Sequence, residues 1–78
     1  MSVADRVFNA FKGALDVDDT VDKTILVYQE FPAWSSVGHM TLIAALEDEF
    51  DCMLDTDDIL AMSSYPKALE IMAKYANA

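Results

Sequence analysis

The chain has 78 residues, a length that allows a single domain, residues 1–78, with a modest hydrophobic core. Its 14 acidic residues against 5 basic ones give a formal net charge of −9. A surface this negative repels nucleic acids and anionic membranes, and it favours proteins with basic patches as partners. We therefore expect no nucleic-acid partner and no membrane partner.

The cysteine content and the apolar stretches bear on the cellular location. Cys52 is the only cysteine, so no disulfide can form within the chain. The first residues lack the charged and then apolar pattern of a signal peptide. No apolar stretch approaches the roughly 20 residues that a membrane-spanning helix needs. We expect a cytoplasmic protein in which Cys52 is a buried structural thiol and not a nucleophile.

The N-terminal segment predicts an amphipathic helix followed by a long loop. The helix is indicated by apolar residues at helical spacing, namely Val3, Val7, Phe8, Phe11 and Leu15. After it, a polar run opens a connection that lasts until about Ser35, and loops of this length are uncommon in small domains. Residues 24–28 have the β-branched content of a strand, but we identify no partner segment for one. We therefore expect an ordered loop that packs on the helices.

A second helix is predicted from Ser36 to about Phe50, with two apolar stripes. A helical wheel places Leu42, Ile43, Leu46 and Phe50 on the core face. A second stripe consists of Val37, Met40 and Ala44, and it is flanked by Glu47 and Asp48. Periodicity alone leaves two interpretations open, because this stripe either widens the buried face or forms a binding surface. His39 falls on the core side, which predicts a structural role and not a catalytic or metal-binding one.

Two more helices complete a predicted all-α fold of four helices, of which the third is short. The third helix includes Ile59, Leu60 and Met62 and starts with Thr56 or Asp57 as its cap, and the fourth starts at Ser63 or Ser64 with Pro66 in its first turn. No metal site is expected. The acidic run of residues 16–20 has the start of a calcium loop, but its sixth and twelfth positions are Val21 and Val27 instead of glycine and glutamate.

The start of the second helix, Trp34-Ser35-Ser36-Val37-Gly38-His39-Met40, is the most informative segment. A serine at a helix start commonly caps the helix by accepting a hydrogen bond from a backbone N–H group. A phosphate on such a serine would also lie where the helix dipole favours an anion. The spacing alone favours the simple cap.

The segment from Ser36 to Phe50 resembles the Asp-Ser-Leu helix of acyl carrier proteins, most closely those with a Trp-Asp-Ser-Leu-Gly-His-Met opening. The resemblance extends over most of the chain and implies the family's four-helix bundle with a long loop between helices 1 and 2. Two positions differ, because Ser35 replaces the aspartate and Val37 the leucine. The flanking Trp34 and Gly38-His39-Met40 select Ser36 as the serine that the family modifies.

The resemblance implies a carrier that is not itself an enzyme and has no catalytic residue. A phosphopantetheinyl transferase would attach 4'-phosphopantetheine to Ser36, and the arm would carry an acyl or aminoacyl group as a thioester. Loading and acyl-transfer enzymes with basic docking patches would be the other partners of a monomeric carrier. The implied partner-binding residues are Ser35, Val37, Met40, Ala44, Glu47 and Asp48.

Two features qualify this interpretation. The aromatic residues would fill the core that a fatty-acid carrier leaves partly open, which favours a specialised biosynthetic pathway. Ser35 in place of aspartate supports the alternative of a small acidic helical adaptor that binds basic proteins and carries no cofactor.

Overall fold

The computed structural model describes residues 2–76, and capping interactions explain where its helices begin. Helix α1 spans Val3–Leu15 and starts in a capping box, in which the Ser2 hydroxyl accepts from the Asp5 N–H over 3.1 Å and the Asp5 carboxylate accepts from the Ser2 N–H over 3.2 Å. The helix ends at Asp16, whose left-handed backbone (φ 56°) stops further helical hydrogen bonding.

Three further helices follow, and the predicted all-α class is confirmed for the described residues, which contain no strand. Helix α2 spans Ser36–Phe50, α3 spans Thr56–Ala61 and α4 spans Tyr65–Ala76. Helix α2 ends at Asp51 in a left-handed conformation, and the Arg6 guanidinium donates to the Glu49 carbonyl over 2.7 Å near this end. The Arg6 side chain also lies 4.2 Å from the centre of the Phe50 ring, so it joins α1 to the end of α2.

The core lies where α1 packs against α2 and α4. The predicted inward face of α2 is confirmed, since Leu42, Ile43, Leu46 and Phe50 are all buried. Aromatic rings from three segments meet beside it. The Phe11 ring contacts Trp34 and Tyr65 edge to face, with centroid separations of 5.2 and 5.0 Å.

The connection between α1 and α2 is an ordered loop, as predicted, and it contains one 3₁₀ turn at Lys23–Ile25. The Asp22 carboxylate caps this turn by accepting from the Thr24 N–H over 3.0 Å. Leu26 is fully buried. Residues 24–28 form no strand, but Val27 pairs with Ser64 in a single antiparallel bridge that joins the loop to the start of α4.

The starts of α3 and α4 were predicted with unequal success. The expected cap of α3, Thr56 or Asp57, is wrong by one or two residues, because Asp55 occupies the cap position and Thr56 is already helical. Asp55 makes no capping hydrogen bond with its side chain, which explains the weak signal. Ser64 is one of the two expected caps of α4, and its hydroxyl accepts from the Lys67 N–H over 3.2 Å.

Candidate functional site

The two adjacent serines at the start of α2 have different positions in the helix. Ser35 has an extended backbone (φ −82°, ψ −177°) and is the N-cap, with its hydroxyl accepting from the Gly38 N–H over 3.3 Å. Ser36 is the first helical residue, and it is exposed. The capping role that the sequence predicts for a serine at this boundary therefore belongs to Ser35, and the Ser36 side chain does not cap the helix.

The Ser36 hydroxyl contacts two side chains from the preceding loop. Its oxygen lies 3.3 Å from the Tyr28 hydroxyl and 3.5 Å from Gln29 Nε2. Neither neighbour is a general base at neutral pH, so these contacts do not activate Ser36 as a nucleophile. These side-chain contacts therefore supply no base for covalent chemistry at this hydroxyl.

Sequence reasoning did not find Tyr28 and Gln29 as site residues. They lie eight and seven residues before Ser36, respectively, in a loop without helical or strand periodicity, and only the chain's path around Trp34 brings them back to the helix start. The length of the loop was the one available signal, because long ordered loops commonly carry function.

An open cleft of about 390 Å³ borders the Ser36 hydroxyl. Phe31, Pro32 and Val37 supply apolar groups to its lining, and Gln29, Ser35 and Ser36 supply polar ones. The cleft is open to solvent on one side, so a group attached to Ser36 has both an exit and an adjacent surface to contact.

Gly38 allows the start of α2 to lie against the loop. A Cβ atom at this position would collide with the Ala33 carbonyl oxygen, which belongs to the backbone and cannot rotate away. Only a glycine permits this close approach, so the residue that helped to identify the segment also has a packing role.

His39 has the structural role that the sequence predicted. The half-buried ring accepts from Trp34 Nε1 at Nδ1 over 2.8 Å, and its Nε2 lies 2.8 Å from the Ile59 carbonyl oxygen. Because a tryptophan N–H can only donate, Nδ1 must be the acceptor and Nε2 must carry the proton. Both ring nitrogens are thus used to join α2 to the buried Trp34 and to α3.

The second apolar stripe of α2 is exposed, so the interpretation that it widens the core is wrong. Val37 and Met40 are 77% and 69% exposed, and Ala44 and Asp48 are exposed as well. Leu60 on α3 is another exposed apolar residue, at 77%. The stripe is therefore available for contact with another molecule.

Glu47 differs from the other predicted partner-binding residues because it has a structural role. It is half-buried, and its carboxylate accepts from the Leu54 N–H over 2.9 Å in the loop between α2 and α3. Its carbonyl also accepts from the Cys52 N–H. A substitution at Glu47 would therefore disturb this loop as well as any docking contact.

Cys52 is half-buried, less than the sequence predicted. Burial raises the pKa of its thiol, and the carboxylates of Glu47 and Asp51 raise it further. A thiol in this environment stays protonated and is a poor nucleophile.

Within residues 2–76, no three acidic, histidine or cysteine side chains are grouped closely enough to bind a metal ion. The same part of the chain contains no helix with the length and apolarity to cross a membrane. No family model matches the chain, and comparisons with curated proteins and with solved structures give no significant match.

Proposed function

We propose that the chain is an acyl carrier protein that bears 4'-phosphopantetheine on Ser36. The observation that supports this most directly is the division of roles at the start of α2, where Ser35 caps the helix and Ser36 presents an exposed hydroxyl beside an open cleft. Together with the order of helices, in which a long loop precedes α2 and a short α3 precedes α4, this arrangement suits a hydroxyl that a separate enzyme must reach.

The attachment step is a phosphoryl transfer from coenzyme A. The Ser36 oxygen forms a bond to the phosphorus next to the pantetheine, the bond from that phosphorus to the bridging oxygen of the diphosphate breaks, and 3',5'-ADP leaves with the bridging oxygen. The serine proton passes to a base of the transferase, because the contacts of Ser36 include no base. When bound, the group supplies a terminal thiol for a thioester, and tethering raises the local concentration of the cargo at each docked enzyme.

The surface properties suit transient contacts with several enzymes. The net charge of −9 favours fast association with basic patches, and Val37, Met40 and Ala44 provide an apolar contact beside Ser36. The partners are a phosphopantetheinyl transferase and loading and acyl-transfer enzymes. The carrier acts in the cytoplasm as a monomer and is not itself an enzyme.

The core supports a preference for cargo from a specialised pathway. Trp34 and Phe11 are fully buried between the helices and contact one another edge to face. These large rings occupy space that a long acyl chain would need, so a small or polar cargo that stays outside the core fits better.

The test is incubation with coenzyme A, Mg²⁺ and a broad-specificity phosphopantetheinyl transferase, followed by intact mass measurement. The wild-type chain should gain one phosphopantetheine, and Ser36→Ala should gain none. Ser35→Asn is the matched control, because it removes the neighbouring hydroxyl and keeps a capping oxygen, and it should be modified like the wild type. An unmodified wild-type chain across several transferases would favour the acidic adaptor, and loss in Ser35→Asn alone would move the site to Ser35.

A further inference from the structure

Three polar side chains meet beside the cleft, and two of them, Gln29 and Ser36, line it. Ser36 Oγ lies 3.3 Å from the Tyr28 hydroxyl and 3.5 Å from Gln29 Nε2, and Gln29 Nε2 also donates to the Tyr28 hydroxyl over 3.3 Å. The phenol has one donor hydrogen and the amide nitrogen has two. Two hydrogen-bond donors from the loop therefore lie next to the Ser36 oxygen, to which the cofactor is attached in the proposed function.

The surrounding backbone holds these donors in place. Gln29 has a left-handed backbone (φ 65°), and its N–H donates to the Trp34 carbonyl over 2.8 Å. The Tyr28 N–H donates to the Ser63 carbonyl over 3.0 Å, and its ring packs 4.9 Å from the His39 ring. Both side chains thus extend from a loop segment that is anchored to Ser63, between α3 and α4, and to Trp34, just before α2.

We propose that Tyr28 and Gln29 are positioning residues that donate hydrogen bonds to a phosphate esterified to Ser36. The inference rests on the proposed function, because it concerns the group that would be attached there. Esterification removes the Ser36 proton, after which Oγ and the phosphate oxygens can only accept hydrogen bonds. Two adjacent neutral donors match such a set of acceptors, and hydrogen bonds to a charged oxygen are stronger than neutral ones.

The test uses phosphoserine at position 36, introduced by total chemical synthesis of the 78-residue chain. A phosphate monoester has a second pKa near 6, which a phosphorus NMR titration measures without any transferase. Donors stabilise the dianion, so they lower this pKa. Gln29→Gly and Tyr28→Phe should therefore each raise the pKa of the phosphate, by about half a unit.

The two variants are chosen to leave the fold intact. Glycine suits the left-handed backbone at position 29, and phenylalanine keeps the ring that packs on His39. Asn9→Ala, which removes an exposed amide from α1, is the control and should leave the pKa of the phosphate unchanged. Titration in urea should give one common value for all chains, because the donors no longer meet the phosphate.

A second measurement requires no variant. The side-chain amide protons of Gln29 should shift with the same midpoint as the phosphate in the otherwise unsubstituted chain. The inference would be overturned if the phosphate had the same pKa in the folded wild type and in both variants. It would also be overturned if the Gln29 amide signals stayed constant while the phosphate titrates. Either result would count even if transferases modify Ser36. Conversely, if the pKa of the phosphate rises in both variants although no transferase modifies Ser36, the carrier function is wrong. In that case Tyr28 and Gln29 remain hydrogen-bond donors to a phosphate on Ser36.

Discussion

At the scale of single residues, backbone position decides which of two identical side chains is available for chemistry. Ser35 lies just before the first helical turn, where its hydroxyl can reach the Gly38 N–H. Ser36 lies one residue later, inside the helix, and its hydroxyl faces the cleft. An aspartate at position 35 would cap equally well, so serine preserves the helix start while it carries one negative charge fewer.

The two glycines provide a matched pair for testing the close approach at Gly38. Gly38→Ala should destabilise the fold by about 1–3 kcal/mol, because the new methyl group collides with the Ala33 carbonyl. Gly13→Ala should instead stabilise it by about 0.5–1 kcal/mol, because nothing lies within 4 Å and alanine favours the helix. Urea unfolding measures both changes. If both substitutions increased the free energy of unfolding equally, the start of α2 would be able to move away from the loop without cost.

At the scale of elements, α3 depends on its neighbours because six residues are too few to form a stable helix alone. His39 contacts the Ile59 carbonyl from the α2 side. On the other side, the Asp58 carboxylate accepts from the Tyr75 hydroxyl over 2.6 Å and from Lys74 over 2.8 Å. The helix is thus held by a histidine from α2 and by two side chains from α4.

The contact between α3 and α4 should make stability depend on pH in the acid range. Hydrogen bonds from Lys74 and Tyr75 lower the pKa of Asp58 below its ordinary value of 3.8. Because the pKa is lower in the folded state, the stabilisation is present above the unfolded value and is lost as the pH falls through the folded one. Thermal unfolding of Asp58→Asn should show a smaller fall in Tm between pH 5 and pH 2 than the wild type. If Tm fell with pH to the same extent in Asp58→Asn and in the wild type, the contact would contribute nothing to the loss of stability in acid.

At the scale of the whole molecule, charge and exposed apolar surface coincide on one side of α2. Between Lys23 and Lys67 the chain has no lysine or arginine, and Asp48 lies beside the exposed Val37, Met40 and Ala44 stripe. The opposite face of the same helix is buried. Substitutions on the exposed face should therefore affect contacts with other molecules, and substitutions on the buried face should affect stability.

We expect Met40→Ala and Asp48→Lys to slow modification by the transferase and to change stability by less than about 0.5 kcal/mol. Leu46→Ala, on the buried face, should cost about 2–5 kcal/mol because it leaves a cavity in a small core. Melting temperature and kcat/KM are measured on the same proteins. Glu47 is unsuitable for this comparison because its carboxylate holds the loop after α2. Severe destabilisation by Met40→Ala would place the stripe in the core.

Local sequence signals predicted the helices well but misplaced the start of α3. The buried face of α2 follows from periodicity, since each side chain's direction depends on the helical repeat alone. The start of α3 was misplaced because its cap makes no side-chain hydrogen bond, so neighbouring polar residues were equally plausible. The sequence left open whether the second stripe of α2 is buried or exposed, because burial of a face depends on which neighbour covers it.

By itself, the sequence determined the all-α class, the long ordered loop and the core face of α2. These follow from residue spacing and from turn-forming residues, which act over a few positions. Only the tertiary structure decided that Ser35 caps α2, that Glu47 holds the following loop, and that Tyr28 and Gln29 contact Ser36. The contacts of Tyr28 and Gln29 with Ser36 depend on the path of the 20-residue connection around Trp34, and no local pattern encodes where such a path returns.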